Sequence, residues 1–104
     1  MKTLEGKVAI VAGGARDIGR AVSEGLAARG AKVVVNYFSK PAESAATVRA
    51  IEEAGGTAIA VRGDMTSRTD VESLVKESLK AYGKNIDILV NVTGGLVADR
   101  KSVV

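Results

Sequence analysis

The sequence predicts an α/β fold built on a parallel sheet, and three observations predict it. Short apolar, β-branched runs alternate with segments of helical period. Glycines stand where those segments meet. Small and polar residues gather at the carboxyl end of every apolar run. Alternation of this kind requires crossover connections and hence parallel strands, in the order β-α-β-α-β-α-β.

Residues 7–12 read as a buried strand. Residues 18–29 read as a helix with Ile18, Ala21, Val22, Gly25 and Leu26 on one face, ended by Gly30. Residues 31–37 are a second β-branched run. Pro41 suits the first turn of a second helix, reaching to about Ala54. Ser39 is its expected cap, and Ala45, Val48 and Ile51 are its apolar stripe. Gly55 and Gly56 stop it before a third strand at 57–61. Ser67 followed by Asp70 resembles a capping box. The next helix carries Val71, Leu74, Val75, Leu79 and Tyr82 on one face and ends at Gly83. A fourth strand covers 86–92. After Gly95 no period remains, so 1–95 is expected to form the domain and 96–104 an irregular tail.

Composition bounds the function. The chain has 104 residues, enough for one domain, and its 46% hydrophobic content is ample for a core. With 3% aromatics, that core must be filled by small aliphatic side chains, and base-stacking surfaces for single-stranded nucleic acid are disfavoured. The 15 basic residues form no run and the net charge is +3, so no nucleic-acid partner is expected. The chain contains neither cysteine nor histidine. Disulfides, thiolate chemistry and the commonest general base and metal ligand are therefore excluded. There is no signal peptide and no apolar run of membrane length, which makes the cytoplasm the default location and a membrane partner unexpected.

The most specific stretch is the turn after the first strand, Ala12-Gly13-Gly14-Ala15-Arg16-Asp17-Ile18-Gly19. A strand turning tightly into a helix aims backbone N–H groups and the positive end of a helix dipole at one spot, where a phosphate is bound. Any strand-to-helix turn tends to hold glycine, so the glycines alone discriminate weakly. A nucleoside-triphosphate P-loop is excluded, because Arg20 and Ala21 stand where Lys and Ser or Thr are required. Convergence is the stronger signal. Gly13 and Gly14, then Asn36, Tyr37 and Ser39, then Gly63, Asp64 and Met65, then residues 91–95 all fall at strand carboxyl ends, where doubly wound sheets bind dinucleotides.

Together these clusters, across residues 4–95, resemble the short-chain dehydrogenase/reductase family, its 3-oxoacyl-carrier-protein reductase-like members in particular. The resemblance implies a Rossmann-type sheet with strands in the order 3-2-1-4, and it covers roughly the first two-fifths of an ordinary family domain. In the family's Thr-Gly-x-x-x-Gly-[Ile/Leu]-Gly turn, Gly13, Ile18 and Gly19 match, while Ala12 replaces the Thr and Asp17 the middle Gly. A carboxylate at that place opposes a diphosphate unless it turns outward or pairs with Arg16 or Arg20. Asp64 resembles the family's adenine-binding Asp; it could equally be a turn or cap residue. Asn91-Val92-Thr93-Gly94 resembles Asn-Asn-Ala-Gly, with Asn91 and Gly94 matching; Asn91 could equally be a buried amide tying strands together. No carboxylate stands among Asn36, Tyr37, Phe38, Ser39 and Lys40 at the end of the second strand, and Arg16 lies in the nearby turn. NADP(H) is therefore favoured over NAD(H).

Family catalysis implies a Tyr with a Lys four residues later. Tyr37 and Tyr82 are followed at that spacing by Pro41 and Ile86, so no catalytic residue is assigned within the chain. The expected function is the NADP(H)-binding part of an oxidoreductase that passes hydride between nicotinamide and a carbonyl or alcohol carbon. The alternative is a non-catalytic nucleotide-binding or interaction module, and the reading frame downstream of codon 104 discriminates the two. The fourth strand would leave an open apolar edge with Asp87 its only charge, so a homo-oligomer or a complementing chain is expected.

Overall fold

A computed structural model describes residues 3–13, 15, 17–83 and 85–92. The expected tail at 96–104 lies outside them. The elements run β1 (Val8–Ala12), α1 (Asp17–Ala28), β2 (Lys32–Tyr37), α2 (Pro41–Glu53), β3 (Thr57–Arg62), α3 (Arg68–Tyr82) and β4 (Ile88–Asn91). All four strands are parallel, in the order β3-β2-β1-β4. The chain leaves β1 for β2 on one side and returns to β4 on the other, so the sheet's switch point lies between β1 and β4.

Both faces of the central strands are covered. Ala9, Val11, Val33 and Val35 pack with Ala27 of α1 and Ile51 of α2. Ile10 and Val34 point the other way and pack with Leu74 of α3. Burial on both sides explains why β1 and β2 are apolar at consecutive positions rather than alternating.

The helix faces differ from those expected. In α1 the buried positions are Gly19, Ser23 and Ala27; Val22 and Leu26 are half-buried, and Ile18, Ala21 and Gly25 face solvent. In α2 they are Ser44, Thr47 and Ile51, with Val48 beside them and Ala45 exposed. The physical reason is close packing. A seam of small residues lets a helix lie near the strands, and larger apolar side chains then fill its flanks. In α3 only Leu74 and Ser78 are buried, while Val71, Val75 and Leu79 are exposed.

Two end signals also differ. The residue before α2 is Lys40, which makes no side-chain cap; Ser39 does not cap the helix, and Pro41 starts it. Ser67 does cap α3, accepting from the Asp70 N–H at 3.3 Å. Asp70 does not close a capping box, because its carboxylate accepts from the Asp64 N–H at 2.8 Å. At β4, Ile86 and Asp87 precede the strand. Asp87 does not guard an edge: its Oδ2 accepts the Val8 N–H at 2.9 Å.

Candidate functional site

β1 delivers the chain to Gly13, whose φ of 80° lies in the left-handed region that favours glycine. The Gly13 N–H donates to Asn36 Oδ1 at 3.2 Å. Further along the turn, the Ala15 carbonyl accepts a 2.6 Å hydrogen bond from the Thr47 hydroxyl of α2. The turn is thus held from two sides by buried polar groups. It hands over to α1 at Asp17, exposed and itself at φ 55°. A left-handed conformation here explains why the family's pattern carries glycine; Asp is among the few other residues that tolerate it. The first-turn N–H groups of α1, around Ile18 and Gly19, have no acceptor earlier in the helix, and they are the donors such a site offers an anion. Gly19 is buried and adds no side chain. Ile18 is 71% exposed at the mouth of the turn. Arg20 is bonded along the helix to Glu24 at 2.7 Å. Gly14, Arg16 and Gly94 lie outside the described residues.

Asn36 is 1% exposed, and its side chain joins three strand ends. Besides accepting from Gly13, its Nδ2 donates to the Gly63 and Val61 carbonyls at 3.2 and 3.3 Å. Its amide is therefore occupied by main chain, and Asn36 positions the site from below. The role of a buried amide tying strands belongs to Asn36 rather than to Asn91, which is exposed at the end of β4, level with Ala12. Tyr37 is half-buried against the α1/α2 core, and Ser39 is exposed.

After β3, Gly63 is buried, and a Cβ there would stand 3.2 Å from Met65 Cε and 3.6 Å from Asn36 Nδ2. Asp64 follows. Its Oδ1 accepts from the Thr66 N–H at 2.9 Å and from the Thr66 hydroxyl at 2.7 Å. These two bonds, aided by the positive charge of Arg62, hold the carboxyl below its ordinary value. Both bonds fall on Oδ1. Asp64 is thus both a turn residue and a candidate contact. Met65 packs against the α3-side core.

Gly13, Asn36, Tyr37, Asp64, Met65 and Asn91 thus share the carboxyl edge of the sheet, at the switch point. Thr47 is a positioning residue that the sequence pattern does not flag. Its only local signal is a polar, β-branched residue on the buried stripe of a helix, where the Glu43 carbonyl at 3.0 Å competes with Ala15 for its single hydroxyl proton.

The opposite end of the strands carries different features. A polar recess there is lined by Glu5, Gly6, Lys7, Asn85 and Asp87. At the same end of the strands, the Lys32 ammonium stands 5.7 Å from the Tyr82 ring centroid. Burial, with the charge of Glu52, pushes the Tyr82 hydroxyl up, and it finds no partner among the described residues. This Tyr–Lys pair lies at the end of the strands opposite the glycine turn. Among the described residues no group of His, Cys, Asp and Glu could hold a metal ion, and no helix is long and apolar enough to cross a membrane.

Comparison with known proteins agrees with this geometry. The chain is 46% identical over 94 residues to an uncharacterized oxidoreductase of Methylorubrum extorquens, covering 90% of this chain and 38% of that protein. It is 42% identical over 85 residues to the short-chain dehydrogenase/reductase homolog YusS of Bacillus subtilis, covering 82% of this chain and 77% of the relative. Among solved structures, a dehydrogenase/reductase from Sinorhizobium meliloti superposes with a TM-score of 0.84 at 42% identity, over 88% of this chain and 36% of that one. A Burkholderia cenocepacia protein described as a dehydrogenase, with NADP bound, superposes with a TM-score of 0.80 at 36% identity, over 88% of this chain and 35% of its own. The chain thus spans about two-fifths of the first relative's length. The family model for short chain dehydrogenases matches residues 7–103. With its 3-2-1-4 parallel sheet and glycine turn at the switch point, the chain belongs to the short-chain dehydrogenase family.

Proposed function

We propose that this chain forms the dinucleotide-binding part of a short-chain oxidoreductase and that NADP(H) is its preferred cofactor. One observation carries the reading: the glycine turn at the switch point is pinned at Gly13 by Asn36 and at Ala15 by Thr47, directly before the N-terminus of α1. The donor set fits a dinucleotide. The α1 N-terminus would take the diphosphate, and the Asp64 Oδ2 would accept from the adenine amino group. Asn91 and Gly94 would border the adenosine ribose. When bound, the nicotinamide supplies or accepts hydride at a carbonyl or alcohol carbon. The Tyr–Lys pair that moves the proton would be supplied from outside these 104 residues, since neither Tyr37 nor Tyr82 has a Lys four positions on.

The preference for NADP(H) rests on charge. No carboxylate follows β2, where one would hold an unphosphorylated ribose, and Arg16 stands in the turn. A solved neighbour carries NADP, which supports the reading. Titration of the chain with NADPH and NADH tests it. Arg16→Ala is expected to cost about 1–3 kcal/mol for NADPH, as for a charged hydrogen bond, and little for NADH. Equal or tighter binding of NADH by the unaltered chain overturns the preference. Failure to bind either nucleotide overturns the site.

A further inference from the structure

Phe38, the one phenylalanine of the chain, is 53% exposed just beyond β2. Its surroundings give it a use. Arg62, the last residue of β3, is level with Tyr37 in the sheet. Its guanidinium carbon stands 5.2 Å from the Phe38 ring centroid. After the two Thr66 hydrogen bonds, the same cation also helps hold the Asp64 carboxyl low. Arg62 therefore occupies the ground between the end of β2 and the turn after β3. In the NADP(H) reading, on which this inference rests, the ribose lies past β2 and the adenine past β3. A phosphate on the ribose 2′-oxygen would then fall between the end of β2 and the turn after β3, within reach of Arg62.

We propose that Arg62 is a specificity-determining residue for the cofactor's 2′-phosphate, held over Phe38. A guanidinium with one face on an aromatic ring keeps its in-plane N–H groups free, and their fork matches two oxygens of a phosphate. Phe38 restricts the rotamers of a long side chain that would otherwise sample solvent, so less entropy is lost on binding. The Asp64 Oδ1 is already occupied by the Thr66 N–H and hydroxyl. The exposed aromatic is thus a platform for the cation.

The test compares adenosine 2′,5′-bisphosphate with 5′-AMP, which differ only in the 2′-phosphate, by calorimetric titration of the full chain. Arg62→Gln should weaken the bisphosphate about tenfold, the loss of a charged hydrogen bond, and leave 5′-AMP unchanged. Phe38→Leu, with the charge still present, should lose a smaller part of the same selectivity. Lys76→Gln, which removes one charge from exposed α3, should change neither ligand. Circular dichroism establishes that each variant is folded. If Arg62→Gln affects neither ligand, or both equally, or if Lys76→Gln reproduces its effect, Arg62 has no such role. In those cases the cofactor reading survives as long as the unaltered chain prefers the bisphosphate. If the unaltered chain shows no preference, the NADP(H) reading itself falls, and this inference with it.

Discussion

Replacing Asn36 with alanine should cost more than any surface substitution in the chain. The side chain is 1% exposed. It accepts from Gly13 N–H at 3.2 Å and donates to the carbonyls of Gly63 at 3.2 Å and Val61 at 3.3 Å. Its contact with the Tyr37 carbonyl, at 3.5 Å, is too long to count for much. A buried group left without a partner costs about 1–3 kcal/mol. Gly13 is half-buried, so water partly replaces its acceptor, whereas Gly63 is buried. The expected loss is therefore about 2–4 kcal/mol, a large fraction of the roughly 5–15 kcal/mol that holds an ordinary domain together. Urea unfolding followed by circular dichroism should show a lower midpoint with the slope unchanged. Asn36→Asp sharpens the test. It keeps an acceptor for Gly13 but turns a carboxylate oxygen toward two carbonyls, which raises the new group's folded pKa. A raised carboxyl costs nothing below its unfolded pKa of about 3.9, and stability is lost as pH climbs from there to the folded value. The deficit of this variant should therefore be small in acid and grow toward neutrality. A loss below about 1 kcal/mol for Asn36→Ala, or a pH-independent deficit for Asn36→Asp, would refute the reasoning.

Three other outcomes are expected. Asp17→Gly relieves a left-handed residue and removes a carboxylate from the mouth of the turn; nucleotide affinity should rise, while stability, with strain relief set against a freer unfolded chain, should change by less than about 1 kcal/mol in urea unfolding. Asp64 should titrate by NMR below the ordinary Asp value of about 3.9, and Thr66→Val should move it up; its contribution is present at neutral pH and lost as the solution is acidified through its folded pKa. The chain should self-associate or pair with a complementing segment at micromolar concentration, since Val71, Val75, Leu79 and Leu89, the last 45% exposed, are uncovered among the described residues. Val75→Lys combined with Leu89→Lys should reduce the mass seen in light scattering, and a monodisperse monomer from the unaltered chain would contradict the expectation.

The four strands, the three helices and their order were legible because each depends on local period and on glycines between segments. The strand order came from the family resemblance, and the sheet has it. The faces of α1 and α2 are legible only in part: Val22, Leu26, Val48 and Ile51 pack against the core, but hydrophobicity does not reveal that close approach to a sheet selects Gly19, Ser23 and Ala27. The convergence of the candidate residues on one edge was legible for a topological reason: parallel strands place all their carboxyl ends together. The work of Asn36 and Thr47 was not. Asn36 meets Gly13 and Gly63 only once three strands are in register, and Thr47 meets Ala15 across 32 positions of chain. No spacing rule along a sequence encodes contacts made by register and helix docking.

The two bonds that flank the glycine turn bear on how binding is driven. A loop that must be ordered by its ligand spends part of the contact energy on lost conformational entropy. Here the Gly13 N–H and the Ala15 carbonyl are already engaged by the protein's own side chains. Capture of an anion at α1 then costs little ordering at Gly13 and Ala15. Its entropy should be governed by water and counter-ions released from the phosphate, and its association rate by charge and diffusion rather than by a folding step.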